Sequence, residues 1–288
     1  IRKMGIQCRV SNPIIPFLST VQNSRDHRKI CVIDGKVAFT GGVNLADEYA
    51  NEITRFGHWK DTAIMLKGDA VQSFTMLFLE MWAVNQMEPA ECQNYLTPKH
   101  VVPDPLHGYV IPYGDHPYDN ENVGEEVYFH ILNHSKKYVH IMTPYLILDS
   151  EMITALTRAA KSGIEVIIIM PDIPDKWYAF VLAHTYYNEL IQAGVSIYEY
   201  TPGFVHAKVF VSDDDTATVG TINLDYRSLY LHFECGAYIY DHPVVADIEQ
   251  DFQETLKKCQ KISLTEVENR PVTYKVMGQI LRLIAPLM

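Results

Sequence analysis

Apolar residues crowd along this chain in two rhythms. Residues 164–171 read IEVIIIMP, an apolar, β-branched run without polar alternation, the pattern of a strand buried on both faces. From 70 to 84 the rhythm is helical, with Phe74, Leu77, Phe78, Met81 and Trp82 falling on one side. The second half alternates the two. Residues 125–137 predict a helix, 137–146 a strand, 149–161 a helix closed by Gly163, 177–193 a helix closed by Gly194, and 195–200 a strand. Such alternation predicts an α/β fold, with a largely parallel sheet and helices on both sides. In the first half, DTAIMLKG at 61–68 predicts a strand. The stretch 98–124, rich in Pro, His, Asp and Gly, predicts a connection between the halves with one short strand in it.

One spacing of polar residues occurs twice. In HRKICVIDGKVAFTGGVNLADEY (27–49) a His is followed two residues later by Lys, seven later by an acid, fourteen later by Gly and seventeen later by Asn. HAKVFVSDDDTATVGTINLDYRS (206–228) repeats this 179 residues on. In a strand, alternate residues face one way, so His27 and Lys29 share a side, as do His206 and Lys208. Asp34-Gly35 predicts a two-residue hairpin, and Asp213-Asp214-Asp215-Thr216 a looser turn. Small residues closing the return strands (Gly41, Gly42; Gly220, Thr221) would let backbone N–H groups approach a ligand. The repeat extends upstream, where IRKMGIQCRVSNP (1–13) parallels IQAGVSIYEYTP (191–202): a helix end, a Gly and a strand. Residues 125–190 have no counterpart ahead of residue 1. The chain is therefore expected to begin inside a longer protein, with roughly sixty or seventy residues of its first repeat missing.

Composition narrows the chemistry. The 288 residues suit one large domain or two moderate ones, and 48% hydrophobic residues supply an ordinary core. A formal charge of −11 argues against binding nucleic acid through a basic surface. Five scattered cysteines form no CxxC pair, which disfavours a disulfide framework or zinc knuckle. No run reaches the ~18 apolar residues of a membrane span, and no signal peptide opens the chain. His130 and His134 lie four apart on a predicted helix without a third ligand, and read as a surface pair.

Two copies of the repeat about a pseudo-two-fold axis would bring two imidazoles, two ammonium groups and two amides to one pocket. That set suits a phosphodiester. Lys29, Lys208, Asn44 and Asn223 can hold non-bridging oxygens and stabilise charge developing on them. One neutral imidazole can attack phosphorus while the other, protonated, supplies a proton to the leaving alkoxide. The cations take the electrostatic role of a metal, so none is expected. A catalytic imidazole also needs a carboxylate to set its tautomer, and Asp61 and Glu234, each about thirty residues beyond its own motif, are the candidates.

The paired HxKxxxxD pattern with its Gly and Asn resembles the phospholipase D superfamily. The stretches NSRDHRKICVIDGKVAFTGGVNLADEY, GHWKDT, TPYL and YEYTPGFVHAKVFVSDDDTATVGTINLDYRSLYLHFECG resemble bacterial cardiolipin synthases within it. The resemblance implies two α/β/α sandwich domains with pseudo-two-fold symmetry, 1–105 and 106–288, the first truncated at its N-terminus, with the active site between them. It implies His27, Lys29, Asp34, His206, Lys208 and Asp213 as catalytic residues, the two acids expected to fix local turns more than touch substrate. Family habit favours His27 as nucleophile; the residues alone are symmetric. It further implies transfer of a phosphatidyl group between two phosphatidylglycerols without cofactor or metal, at the bacterial cell membrane, with anchoring segments that lie outside this chain.

Three other outcomes are carried from the residues. Water rather than a lipid hydroxyl could intercept the phosphohistidine, giving a phospholipase D-type hydrolase. A nuclease of the superfamily would want a basic groove, against the charge. A lipid-binding scaffold would not need either His. Tyr186 and Tyr187 fit either core packing or a lipid-access groove. The terminal stretch 276–288 sets Val276, Ile280, Leu283 and Ile284 on one helical face, fitting either a membrane surface or docking on the domain.

Overall fold

The computed structural model describes residues 1–11, 24–83, 92–96 and 107–287. The first half forms a hairpin of β1 (Ile30–Ile33) and β2 (Val37–Gly41), a short β3 (His58–Lys60), then β4 (Ala63–Lys67) and helix α1 (Ala70–Ala83). After β5 (Tyr109–Asp115) come α2 (Val123–His134), β6 (Tyr138–Met142), α3 (Ser150–Lys161), β7 (Glu165–Pro171), α4 (Trp177–Ala193) and β8 (Ser196–Tyr200). The chain continues with β9 (Gly203–Val205), the hairpin β10 (Val209–Ser212) and β11 (Thr216–Gly220), and α5 (Tyr226–Tyr230). It closes with β12 (Glu234–Tyr240), α6 (Val244–Leu256), β13 (Cys259–Lys261), α7 (Leu264–Glu268) and α8 (Val272–Leu283).

The second half builds an eight-stranded sheet in the order β13-β8-β7-β6-β10-β11-β12-β5. Only β6, β7 and β8 run parallel; the other pairings are antiparallel. This corrects the expectation of a largely parallel sheet. β6, β7 and β8, joined through α3 and α4, come back parallel, whereas β10 and β11 of the His206 repeat are joined by a tight turn and so must oppose one another. β7, apolar after its first residue Glu165, sits inside the sheet between two parallel neighbours and is buried from Val166 onward, as its composition demands.

The first half repeats the hairpin, strand and helix of the second. β1, β2 and β4 form a three-stranded antiparallel sheet in the order of β10, β11 and β12. Both hairpins pair in the same register at the 179-residue offset, Ile30 with Thr40 and Val209 with Val219. Their loops are alike too. Each spans three residues, 34–36 and 213–215, with two positive φ values, so the first is longer and the second tighter than the residues alone predict. The two sheets share a core in which Ala38, Ile64 and Leu66 pack with Val209, Val219, Ala237 and Ile239. The opposite face of the large sheet packs beneath α2, α3 and α4 through Ile131, Leu156, Leu182 and Ile168, and Tyr186 and Tyr187 belong to this core.

Three further expectations meet the structure. Gly5 caps a single turn, but residues 6–11 form no strand. The connection holds a seven-residue strand, β5, which pairs with β12 at the sheet edge; the boundary at 105/106 lies outside the described residues. Helix α8 docks on α4 through Gly278, where a side chain would collide with Thr185, and leaves Val276, Ile280, Leu283 and Ile284 exposed. No described helix is long and apolar enough to cross a membrane.

Candidate active site

The halves exchange short strands, and this exchange builds the site. β3 pairs with β9 in parallel, Trp59 opposite Phe204, and the next N–H, that of His206, donates to the Lys60 carbonyl at 2.7 Å. The other repeat does the same: Phe233 N–H donates to the Arg25 carbonyl at 2.8 Å, and His27 N–H to the Phe233 carbonyl at 2.9 Å. The residue after Lys60 is Asp61, and the residue after Phe233 is Glu234. Each pairing thus delivers an acid of one repeat to the imidazole of the other. His27 Nδ1 lies 2.8 Å from Glu234 Oε1, and His206 Nδ1 lies 2.9 Å from Asp61 Oδ2. A carboxylate accepts the Nδ1–H hydrogen bond, which keeps the proton on Nδ1 and leaves the Nε2 lone pair for chemistry.

Both carboxylate side chains are buried and both are satisfied. Glu234, 0% exposed, accepts from the Thr221 hydroxyl as well as from His27. Asp61 accepts the Thr62 N–H at 2.8 Å and faces Gly42, where an added Cβ would lie 2.0 Å from its Oδ1. The small residues closing the return strands therefore make room for carboxylates. They do not offer donors to a ligand, since the Gly42, Gly220 and Thr221 N–H groups already bond the carbonyls of Thr62, Lys208 and Cys235.

The lysines lie deeper than the imidazoles. Each Nζ donates to the carbonyl of its own His two residues back, Lys29 to His27 and Lys208 to His206, at 2.5 Å. Burial lowers the Lys29 ammonium to about 8, against attraction from Glu234. Burial likewise lowers Lys208 to about 7, with Asp61 opposing and Lys29 assisting. His206 is pushed down to about 3, first by burial and next by the Lys208 charge, which together outweigh its bond to Asp61.

A cavity of about 660 Å³ opens over this centre, lined by His27 and His206 from the two repeats and by Asn44 and Asn223. Lys29 and Lys208 do not line it; their ammonium groups bond the His27 and His206 carbonyls instead. Asn44 Nδ2 donates to Tyr49 Oη at 2.6 Å, and the buried Asn223 Oδ1 has no partner among the described residues. Asp34 and Asp213, expected among the catalytic residues, stand at the far hairpin ends. A four-residue strand separates each from its lysine, roughly 13 Å of extended chain. Asp213 instead accepts the N–H groups of Lys136, Lys137 and Tyr138 at 2.6, 2.8 and 3.0 Å, tying the β10–β11 loop to the start of β6. Asp34 is exposed at positive φ in its loop. Both acids thus sit in the hairpin loops.

Comparison with known proteins places this geometry. Residues 128–256 match the family described as cardiolipin synthase, PLD-like domain. The whole chain aligns at 55% identity with an uncharacterized protein of Streptococcus mutans, covering 62% of it. It aligns at 36% with a cardiolipin synthase of Geobacillus kaustophilus, covering 57% of that protein. The chain is similar to these proteins over its whole length, and to the PLD-like domain over residues 128–256. It spans about three fifths of the length of these relatives. The phosphatidylserine synthase of Haemophilus influenzae shares the fold, with a TM-score of 0.69 at 15% identity over 91% of this chain and 71% of that one.

The site also holds residues that the repeat did not single out. Tyr145, Asp175 and Lys176 enter the cavity from the loops after β6 and β7, and Arg227, Ser228 and His232 from α5 and the turn beyond it. The first three had a signal: ligands of open α/β sheets bind beyond the carboxyl ends of parallel strands. His232, with its ring 5.9 Å from that of His27, had none. The two imidazoles also differ in setting. The His27 side chain is 26% exposed, whereas that of His206 is 8% exposed and is flanked by the rings of Tyr49 and Trp59, each 5.2 Å away. The His130 and His134 rings lie 4.1 Å apart, tilted, on one turn of α2, and no group of three or more His, Cys, Asp or Glu among the described residues is placed to hold a metal.

Proposed function

We propose that this chain carries the active site of a phosphatidyltransferase that converts two phosphatidylglycerols into cardiolipin and glycerol at the bacterial cell membrane. The observation that supports it is the crossed pair of imidazoles, each held at Nδ1 by the other repeat's acid and both lining one cavity. His27, the more exposed ring, attacks phosphorus through Nε2, and the bond from phosphorus to the glycerol oxygen breaks. The leaving alkoxide takes its proton from His206 Nε2. Glycerol departs, and the phosphatidyl group is left on His27. The hydroxyl of a second phosphatidylglycerol then attacks phosphorus, surrendering its proton to His206, and the P–N bond breaks to free His27 and release cardiolipin. Burial strips His206 of its proton in the free protein, and an anionic phosphodiester beside it restores one, so the acid forms only with substrate present. Metal independence belongs to this proposal, with Lys29 and Lys208 supplying the positive charge.

Labelled phosphatidylglycerol in vesicles tests the reaction: cardiolipin plus glycerol is expected, and phosphatidic acid as sole product would make the protein a hydrolase instead. The roles separate with a p-nitrophenyl phosphodiester, whose leaving group needs no acid. His206→Asn should then accumulate a phosphorylated His27, and His27→Asn should form no adduct. The reverse pattern would exchange the two roles.

A further inference from the structure

The same cavity extends past the paired histidines to a second set of polar groups. Asp175 Oδ2 accepts from Tyr145 Oη at 2.6 Å, but its Oδ1 is buried without a partner among the described residues. Ser228 is 1% exposed; its N–H donates to Asp225 at 2.9 Å, yet its Oγ is also buried and unpartnered. Both residues line the cavity, and so do the cationic Lys176 and Arg227. The Lys176 ammonium lies over the Tyr145 ring, 4.9 Å from its centre, and the half-buried Arg227 makes no side-chain bond among the described residues. Unpartnered polar atoms inside a fold are costly, and in a binding site they mark where a ligand bonds.

Their chemistry narrows the ligand. A carboxylate oxygen and a hydroxyl are suited to ligand hydroxyl groups. Lys176 and Arg227 would repel an ammonium headgroup and attract a phosphate, and Asp175 would disfavour a bare phosphate. One molecule bearing both groups satisfies all four residues. We propose that Asp175 and Ser228, flanked by Lys176 and Arg227, form an acceptor subsite for a hydroxyl-bearing phosphate ester, distinct from the paired-histidine centre. The proposal rests on the phosphatidyltransferase reading above and deepens it. An acceptor held there presents its hydroxyl to the phosphohistidine and occupies the space water would otherwise use. The subsite thus favours transfer over hydrolysis.

Calorimetric titration of the chain with glycerol 1-phosphate, in saturating inorganic phosphate to occupy the paired-histidine centre, tests this. Asp175→Asn and Arg227→Gln should each weaken glycerol 1-phosphate about tenfold, and Ser228→Ala by a smaller factor, with inorganic phosphate alone binding as before. Arg227→Lys, which keeps the charge, should recover part of the loss and shows that the fold tolerates change there. Unchanged affinity in both Asp175→Asn and Arg227→Gln would overturn the subsite. The vesicle assay separates the two ideas. If lipid products form but the ratio of cardiolipin to phosphatidic acid is the same in every variant, the subsite fails and the enzyme stands. If no lipid product forms and the calorimetric pattern holds, the lipid reading fails and the subsite stands.

Discussion

At the scale of single residues, Lys208 shows what the site costs the fold. Its side chain is 2% exposed, and its one hydrogen bond among the described residues is to the His206 carbonyl. Burial lowers it from an ordinary 10.5 to about 7. Between those values the unfolded chain holds a proton that the folded chain has shed, so stability rises with pH across the window, by at most about 1.4 kcal/mol per unit. Below about 7 both states are charged, and the whole penalty applies. Lys208→Met should therefore raise the melting temperature at pH 7 by several degrees, flatten the rise between pH 7 and 9, and abolish turnover; a lower melting temperature at pH 7 would contradict the burial argument. The sequence named Lys208 and Lys29 from their spacing. It could not show that both lie under the imidazoles, because a polar position in a strand reads alike whether it faces water or a neighbouring sheet.

At the scale of elements, the repeat was legible down to its register, since a hairpin with period-2 side chains fixes which residues oppose one another. The acids of the two motifs were legible as residues that fix local turns, and both stand in their hairpin loops. Asp213 belongs to the joint between the β10–β11 loop and β6, where the N–H groups of Tyr138, Lys137 and Lys136 hold its carboxyl below the ordinary range despite the opposing effect of burial. A carboxylate so depressed stabilises the fold above its ordinary pKa of 3.8, and the contribution is lost as pH falls through the lower folded value. Asp213→Ala should cost about 1–3 kcal/mol in urea denaturation at pH 7, and the gap to the parent should narrow in acid. Activity per folded molecule should hold within a few-fold. A hundredfold loss of activity with unaltered stability would return this acid to the chemistry.

At the scale of the whole molecule, the centre belongs to neither repeat alone, because each imidazole is oriented by the other's carboxylate. The centre also gathers more buried positive groups than it can keep charged. Binding an anion should therefore recharge them. At pH 8, titration with inorganic phosphate in buffers of differing ionisation enthalpy should reveal uptake of about one proton per site, mostly by Lys208. Binding without proton uptake would mean that the lysines stay charged in the free protein. The sequence by itself determined the duplicated His, Lys, Gly and Asn, the alternation of strands and helices, and the identity of Asp61 and Glu234 as candidate acids. These follow from local spacing, which one short segment carries in full. The tertiary structure alone decided which acid serves which imidazole, how deep each lysine lies, and that Tyr145, Asp175, Arg227 and His232 share the cavity. Those facts depend on pairings between strands more than a hundred residues apart, and no periodicity within a segment encodes the distance between two of them.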